Sequence, residues 1–246
     1  MATFKILFKN IYAEALNAEG FKYNSKYGYF FRIHNNELIQ YITFINCFSS
    51  VKGEKCYNIF AGTVSIYSES VDKGFLRMAG TTVFDYTRDI KHKLGFKYVE
   101  EEKEMIESIK ETLEYTVQYV IPVLNEVVDL KTYVLFRKKT NGLIEIGGAN
   151  VFWADSLSLI MGDNHDDFCD IFDERLAFLN EQFQSGIAGG SYESQYNAIH
   201  TAIFETIVES RDKVYQDKQL YAEAIAEAER RKTANLEYLR SMKVID

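Results

Sequence analysis

The 246-residue chain has a single proline, Pro122, and only three cysteines, Cys47, Cys56 and Cys169. One proline excludes collagen, PxxP ligands and proline-rich linkers. The cysteines are an odd number with neither a CxxC pair nor metal-finger spacing. Cys47 and Cys56 can pair only if the chain folds back between them, and buried reduced thiols are the expectation. No run approaches the ~20 apolar residues of a membrane span. The first residues, MATFKILFKNIYAEAL, contain no uninterrupted apolar core and no small-residue cleavage site. Together these absences point to the cytoplasm, with no membrane partner. Nucleotide loops are missing as well. GGAN at Gly147–Asn150 and GIAGGS at Gly186–Ser191 lack both the GxxxxGK[ST] lysine and the GxGxxG spacing, and no GxSxG elbow occurs. No cofactor is expected.

What is present is 47% apolar and 15% aromatic residues, too many for a disordered chain. A chain of this length buries ~70–75% of the surface its unfolded form exposes, so a core can form without disulfide or metal. Charge is split unevenly. Residues 1–99 carry 13 basic and 8 acidic side chains, a net of +5, whereas residues 100–246 carry 15 and 28, a net of −13. Secondary-structure signals change at the same place, which sets a boundary near Tyr98–Glu101. The expected organisation is residues 1–99 as a basic helix-plus-sheet part and residues 100–246 as an acidic helical part packed on that sheet.

Phe4, Leu7, Phe8, Ile11, Tyr12, Ala15 and Leu16 recur at helical spacing, and Gly20 follows as a stop. The period then shifts to strands at Tyr27–Ile33, Leu38–Phe48 and Tyr57–Tyr67, the first two joined by the polar turn His34-Asn35-Asn36-Glu37. Gly62 marks a bulge or a close contact, and a short strand is expected at Thr81–Tyr86. Both faces of Leu38–Phe48 are apolar or aromatic, so this strand is central, with Gln40 buried and hydrogen-bonded. From Glu101 a helical stripe runs through Met105/Ile106, Ile109, Leu113, Val117, Val120/Ile121, Leu124 and Val127/Val128, and Pro122 should kink or divide it. Asp129–Lys139 reads as a helix, with a hairpin through Asn141-Gly142 as its rival. Asp166–Gln184 is a further helix. Residues 193–242 are helical, with a thinning of the stripe over Ser210–Gln219 that predicts two helices. The fold class is therefore α+β: an antiparallel sheet of three or more strands with an N-terminal helix, followed by a helical second half.

Three constellations carry possible chemistry. In GDNHDDFCDIFDE (Gly162–Glu174), Asp163, His165, Asp166, Asp167 and Asp170 offer oxygen and imidazole ligands for a divalent ion. The spacing matches neither an EF-hand nor a zinc His pair, and the same residues cap a helix start, which is the expected role. Tyr27, Tyr29, Phe30, Phe31, Tyr41, Phe44 and Phe48 on a basic sheet resemble a stacking platform for single-stranded nucleic acid. The RNP pattern is absent and the chain is acidic overall, so these rings are expected in the core and no nucleic-acid partner is favoured. EEKEMIESIKETLE (Glu101–Glu114) places Glu104, Glu107 and Glu111 on one helix face, a docking surface for a basic protein. The alternative is that they face the chain's own basic part. Cys56 lies near Lys52 and Lys55, which is ordinary for a hairpin.

Over residues 3–67 the leading helix, GFKY, the aromatic–Arg strand FFRI, LIQYITF and YNIFAGTVSIY resemble a bacterial domain-of-unknown-function family, number forty-three-oh-four. PVLNEVVDLKTYV (Pro122–Val134) resembles its helical continuation. The resemblance implies an α+β fold and transfers no catalytic residue. The function expected from all of this is non-enzymatic binding of another macromolecule, in one form immunity-type neutralisation of a basic toxin. The competing expectation is a metal-dependent hydrolase using Asp163, His165, Asp166 and Asp170.

Overall fold

The computed structural model describes residues 2–48, 55–68, 71, 80–82, 95–133, 157, 161–162 and 213–245. Helix α1 (Ala2–Ala18) buries Phe4, Phe8, Tyr12 and Leu16, four positions at i, i+4 spacing on one face. It stops where the sequence signals a stop. Gly20 adopts φ +81°, and Phe21 N–H reaches back to Leu16 O at 2.9 Å, the closing bond of a Schellman cap.

Six antiparallel strands follow: β1 (Lys22–Asn24), β2 (Tyr29–His34), β3 (Leu38–Phe48), β4 (Lys55–Ser65), β5 (Gly80–Thr82) and β6 (Phe96–Lys97). They run in the order β1-β2-β3-β4-β5, with β6 also paired to β4. β3 is central and keeps the bounds its sequence predicts. Tyr27 belongs to a turn rather than to β2, because the Asn24 carboxamide oxygen accepts from Lys26 N–H and Tyr27 N–H and folds residues 24–28 tightly. The β2–β3 turn places Asn35 and Asn36 at φ 52° and 53°, a backbone that asparagine tolerates. Gly62 does not mark a bulge: the β3–β4 ladder is continuous from Leu38↔Ser65 to Phe48↔Lys55. β1 and β6 were not legible as strands. Of the strand expected at Thr81–Tyr86, residues 83–86 lie outside the described residues.

The sheet is covered on both faces. Ile42, Phe44, Ile59, Ala61 and Tyr57 pack against Phe4 and Phe8 of α1. Phe4 meets Phe44 and Tyr57 edge-on at 4.8 and 4.7 Å between centroids, the favourable geometry for aromatic quadrupoles. The opposite face, with Ile39, Tyr41, Phe31 and Val64, packs against Ala228 and Leu239 of the C-terminal helix α4 (Lys218–Ser241). That double cover is why β3 reads as apolar on both faces.

Helix α2 (Glu102–Tyr115) passes through a π-helical turn, Thr116–Val120, into α3 (Ile121–Asn125). Pro122 has no N–H to give and its ring crowds the preceding turn. The helix accommodates this by widening rather than breaking, and Ile121 N–H bonds Thr116 O across five residues. The expected stripe through Leu113 and Val117 is displaced. Thr112 and Thr116 are the fully buried positions, while Val117 is 45% exposed. The reason is a polar partner, since the buried Tyr12 hydroxyl bonds Thr112 Oγ1 at 2.9 Å and Thr116 Oγ1 at 3.1 Å. The same burial pushes the Tyr12 pKa far up, so it stays a neutral phenol.

After α3 the chain turns, and Asp129 caps residues 130–133 by accepting from Thr132 N–H at 2.8 Å. The rest of the expected Asp129–Lys139 helix and its hairpin rival lie outside the described residues, as does Asp166–Gln184. The expected break within Ser210–Gln219 is present at Asp217, whose carboxylate accepts from Gln219 N–H and Leu220 N–H to start α4.

The doubly covered sheet makes a quantitative demand on Ile42, which is fully buried between Phe30 and Ala61. Ile42→Asp should cost about 3–5 kcal/mol by urea denaturation, through an unpaired buried charge. A loss under about 1 kcal/mol would contradict the packing described.

Candidate functional site

Charged and polar side chains converge at one end of the sheet, where β2, β3, the end of α1 and the end of α3 meet. Gln40 is fully buried on β3 directly opposite Arg32 of β2. Its amide nitrogen donates to Leu124 O at 2.7 Å and Val127 O at 2.8 Å. The first carbonyl lies in the last turn of α3, where it also accepts from Val127 N–H at 3.1 Å, and the second lies just beyond that helix. Its oxygen accepts from Arg32 Nε at 2.8 Å and from Arg32 Nη2, and His34 Nε2 lies 3.3 Å away. Both amide protons and both oxygen lone pairs are thus engaged, which leaves one sensible orientation of the carboxamide.

Arg32 is held on its other side by Glu19 O, which accepts from Nη1 at 2.9 Å, with the Glu19 carboxylate 3.9 Å away. The guanidinium also lies over the Phe21 ring at 4.5 Å. Burial lowers the Arg32 pKa and Glu19 partly restores it, so the charge is kept. His34 is pushed below its ordinary value, first by burial and then by the Arg32 charge, with the Gln40 contact opposing. Asn125 completes the joint by donating to Glu19 Oε2 at 3.1 Å. Every hydrogen-bonding arm of Gln40 is turned inward onto the chain. The arrangement joins helix ends to a sheet.

The three constellations singled out in the sequence fall differently. Glu104 and Glu107 are exposed on α2 and Glu111 is half-buried on the same row, opposite the side that buries Met105, Ile109 and Thr112. Among the described residues Glu104 and Glu107 make no ion pair. Glu101 caps the helix by accepting from Glu104 N–H at 2.8 Å, so negative charge gathers where the helix dipole favours it. Of the candidate stacking platform, Tyr29, Phe30, Phe31 and Tyr41 are buried under the helices. Tyr27 and Phe44 are partly buried against the same cores. The side chain of Phe48 lies outside the description. Asp163, His165, Asp166, Asp167 and Asp170 all lie outside the described residues, and among those described no group of three His, Cys, Asp or Glu residues could hold a metal.

Sequence reasoning missed one pairing and left another open. Tyr12 with Thr112 and Thr116 spans about a hundred residues and leaves no local signal. Cys47 and Cys56, whose pairing was conditional on a fold-back, are direct Cα partners in the β3–β4 ladder; both are free thiols, Cys56 buried as expected but Cys47 only half-buried. Among the described helices, none is long and apolar enough to cross a membrane. Compared with family models, curated proteins and solved structures, the chain gives no match in any of the three.

Two measurements follow from the joint. Gln40→Leu removes two hydrogen bonds from the part-buried Arg32 and the side-chain donor to Leu124 O and Val127 O, and should cost about 2–4 kcal/mol of unfolding free energy. Near-neutral stability of that variant would mean the amide joins nothing. Because the native His34 pKa lies below its unfolded value of about 6.5, the unfolded state binds the proton more readily. His34 therefore contributes stability above about pH 6.5 that is lost as pH falls through its native pKa. The melting-temperature advantage of wild type over His34→Gln should shrink between pH 7 and pH 5. An advantage that grows on acidification would reverse the sign.

Proposed function

We propose that this protein acts by binding another macromolecule, and that the glutamate row of α2 is the surface that meets a basic protein. One observation carries the reading: Glu104 and Glu107 stand exposed on the face of α2 turned away from the core, without ionic partners among the described residues. Two features support it. The second part of the chain carries the whole acidic excess, −13 against +5. Val117 and Tyr119, 45% and 37% exposed in the π-helical turn that follows α2, add exposed apolar surface to the same segment. Neutralisation of a basic toxin, in the manner of an immunity protein, is the concrete form we favour within this class.

Complementary charge acts mainly on the encounter rate. With a basic partner isolated from the native lysate, association should slow about tenfold or more between 20 and 200 mM salt, while dissociation changes little. Reversing Glu104, Glu107 and Glu111 to Lys should abolish that salt dependence, and reversing the exposed pair Glu104 and Glu107 should leave the melting temperature close to wild type, since exposed charges contribute little to stability. Capture that survives the triple reversal would overturn the reading. So would unfolding of the Glu104 and Glu107 double reversal, because the exposed glutamates would then serve the chain's own packing. Stoichiometric Mn²⁺ or Zn²⁺ retained through dialysis, and lost in His165→Ala, would favour the hydrolase instead.

A further inference from the structure

Cys47 and Cys56 stand directly across the β3–β4 ladder and are both present as thiols. Directly opposed residues of an antiparallel pair send their side chains to the same face, with Cβ atoms ~4.5–5.5 Å apart. A disulfide needs ~3.5–4.5 Å, so a small approach of the two strands is enough. The two side chains interact by a hydrogen bond between the thiols. Gly95, at φ +101°, sits where any Cβ would lie 2.4 Å from Cys47 Sγ and 2.8 Å from Tyr57 O. The Cys47 sulfur therefore reaches over β4, the strand that carries Cys56 and Tyr57. The two cysteines differ in access: Cys56 is buried, whereas Cys47 is only half-buried near the end of its strand.

We propose that Cys47 and Cys56 are an oxidation site that forms a reversible cross-strand disulfide with a peroxide-class oxidant, independently of the binding reading above. Cys47, the more accessible, reacts first. Its thiolate attacks one peroxide oxygen, the O–O bond breaks, and the departing hydroxide takes up a proton to become water. The Cys56 sulfur then displaces hydroxide from the Cys47 sulfenic acid, forming the S–S bond and, with a proton, a second water. Two thiols have lost two electrons and two protons to hydrogen peroxide, giving one disulfide and two waters. A dithiol reductant reverses the change by exchange. Burial and the neighbouring Cys56 thiol push Cys47 up to about 12, so the first step runs through a scarce thiolate and quickens as pH rises. The bond would close residues 48–55 into a covalent loop at the end of the two longest strands.

The full-length chain should be treated with hydrogen peroxide under native conditions at pH 7 and pH 9, quenched, alkylated and digested with trypsin. Lys52 and Lys55 lie between the two cysteines, so cleavage separates them and a surviving link identifies the pair. The expected product is one disulfide-linked Cys47–Cys56 peptide, formed faster at pH 9, released by dithiothreitol and still formed in Cys169→Ser. In Cys56→Ser, dimedone should trap a sulfenic acid on Cys47. Three outcomes would overturn the proposal: a link through Cys169, both thiols remaining alkylatable, or Cys47 sulfinic acid beside an alkylatable Cys56. The wild-type and Cys169→Ser maps decide the matter should Cys56→Ser not fold.

Discussion

A buried side-chain amide is the contact on which the arrangement of helices over the sheet depends. Gln40 sits near the start of the central strand β3 with no exposed surface and reaches one carbonyl in the last turn of α3 and one just beyond it, 84 and 87 residues further along the chain. Burying an amide without partners costs several kcal/mol, and burying a guanidinium without partners costs more. Gln40 and Arg32 satisfy each other, and the helix end supplies the remaining acceptors. The same bonds give Val127 O, just beyond α3, a buried donor and add a side-chain donor to Leu124 O, which also accepts from Val127 N–H at 3.1 Å. One residue thus ties the end of α3 and the turn after it to the central strand.

The opposite face uses the same device in reverse. Asn235, buried on α4, donates to Ile66 O and Ser68 O just after β4. Asn24 donates to Met242 O, 2.7 Å away, at the end of that helix. Apolar packing supplies most of the stabilisation of both layers but is tolerant of small slides. Amide-to-carbonyl bonds are not, because a shift of an ångström or two leaves a buried donor unpaired. Each helical layer is therefore positioned by rings and aliphatic chains and then registered by a few buried polar side chains, Gln40 and Tyr12 on one face and Asn235 and Asn24 on the other. With α2 fixed by Tyr12 on Thr112 and Thr116 and α3 fixed by Gln40, the glutamate row is presented outward on a rigid element.

The central strand was legible to the residue because burial on both faces leaves a continuous apolar and aromatic run, and its burial of Gln40 was legible too. What the amide would bond was not, since Leu124 and Val127 offer only backbone and carry no sequence mark. The stripe along α2 was misplaced by one position at Thr112 and Thr116. Periodicity ranks leucine and valine above threonine, and nothing local announces a tyrosine hydroxyl one hundred residues earlier. The disturbance at Pro122 was foreseeable from the missing N–H, although its form, a π turn, depends on how the helix is gripped on either side. The start of β2 was read two residues early because the Asn24 turn competes with the ladder for Lys26 and Tyr27. The glutamate row was legible from spacing alone, since exposed faces owe little to distant partners.

Exchange of the Gln40 side-chain amide protons, followed by NMR in D₂O, tests the central claim most directly. If both protons are held by Leu124 O and Val127 O, they should exchange as slowly as the backbone amides in the middle of β3, through global unfolding alone. Exchange within the dead time of the experiment, while those backbone amides remain protected, would contradict the account: α3 would then lie over the sheet without being tied to it.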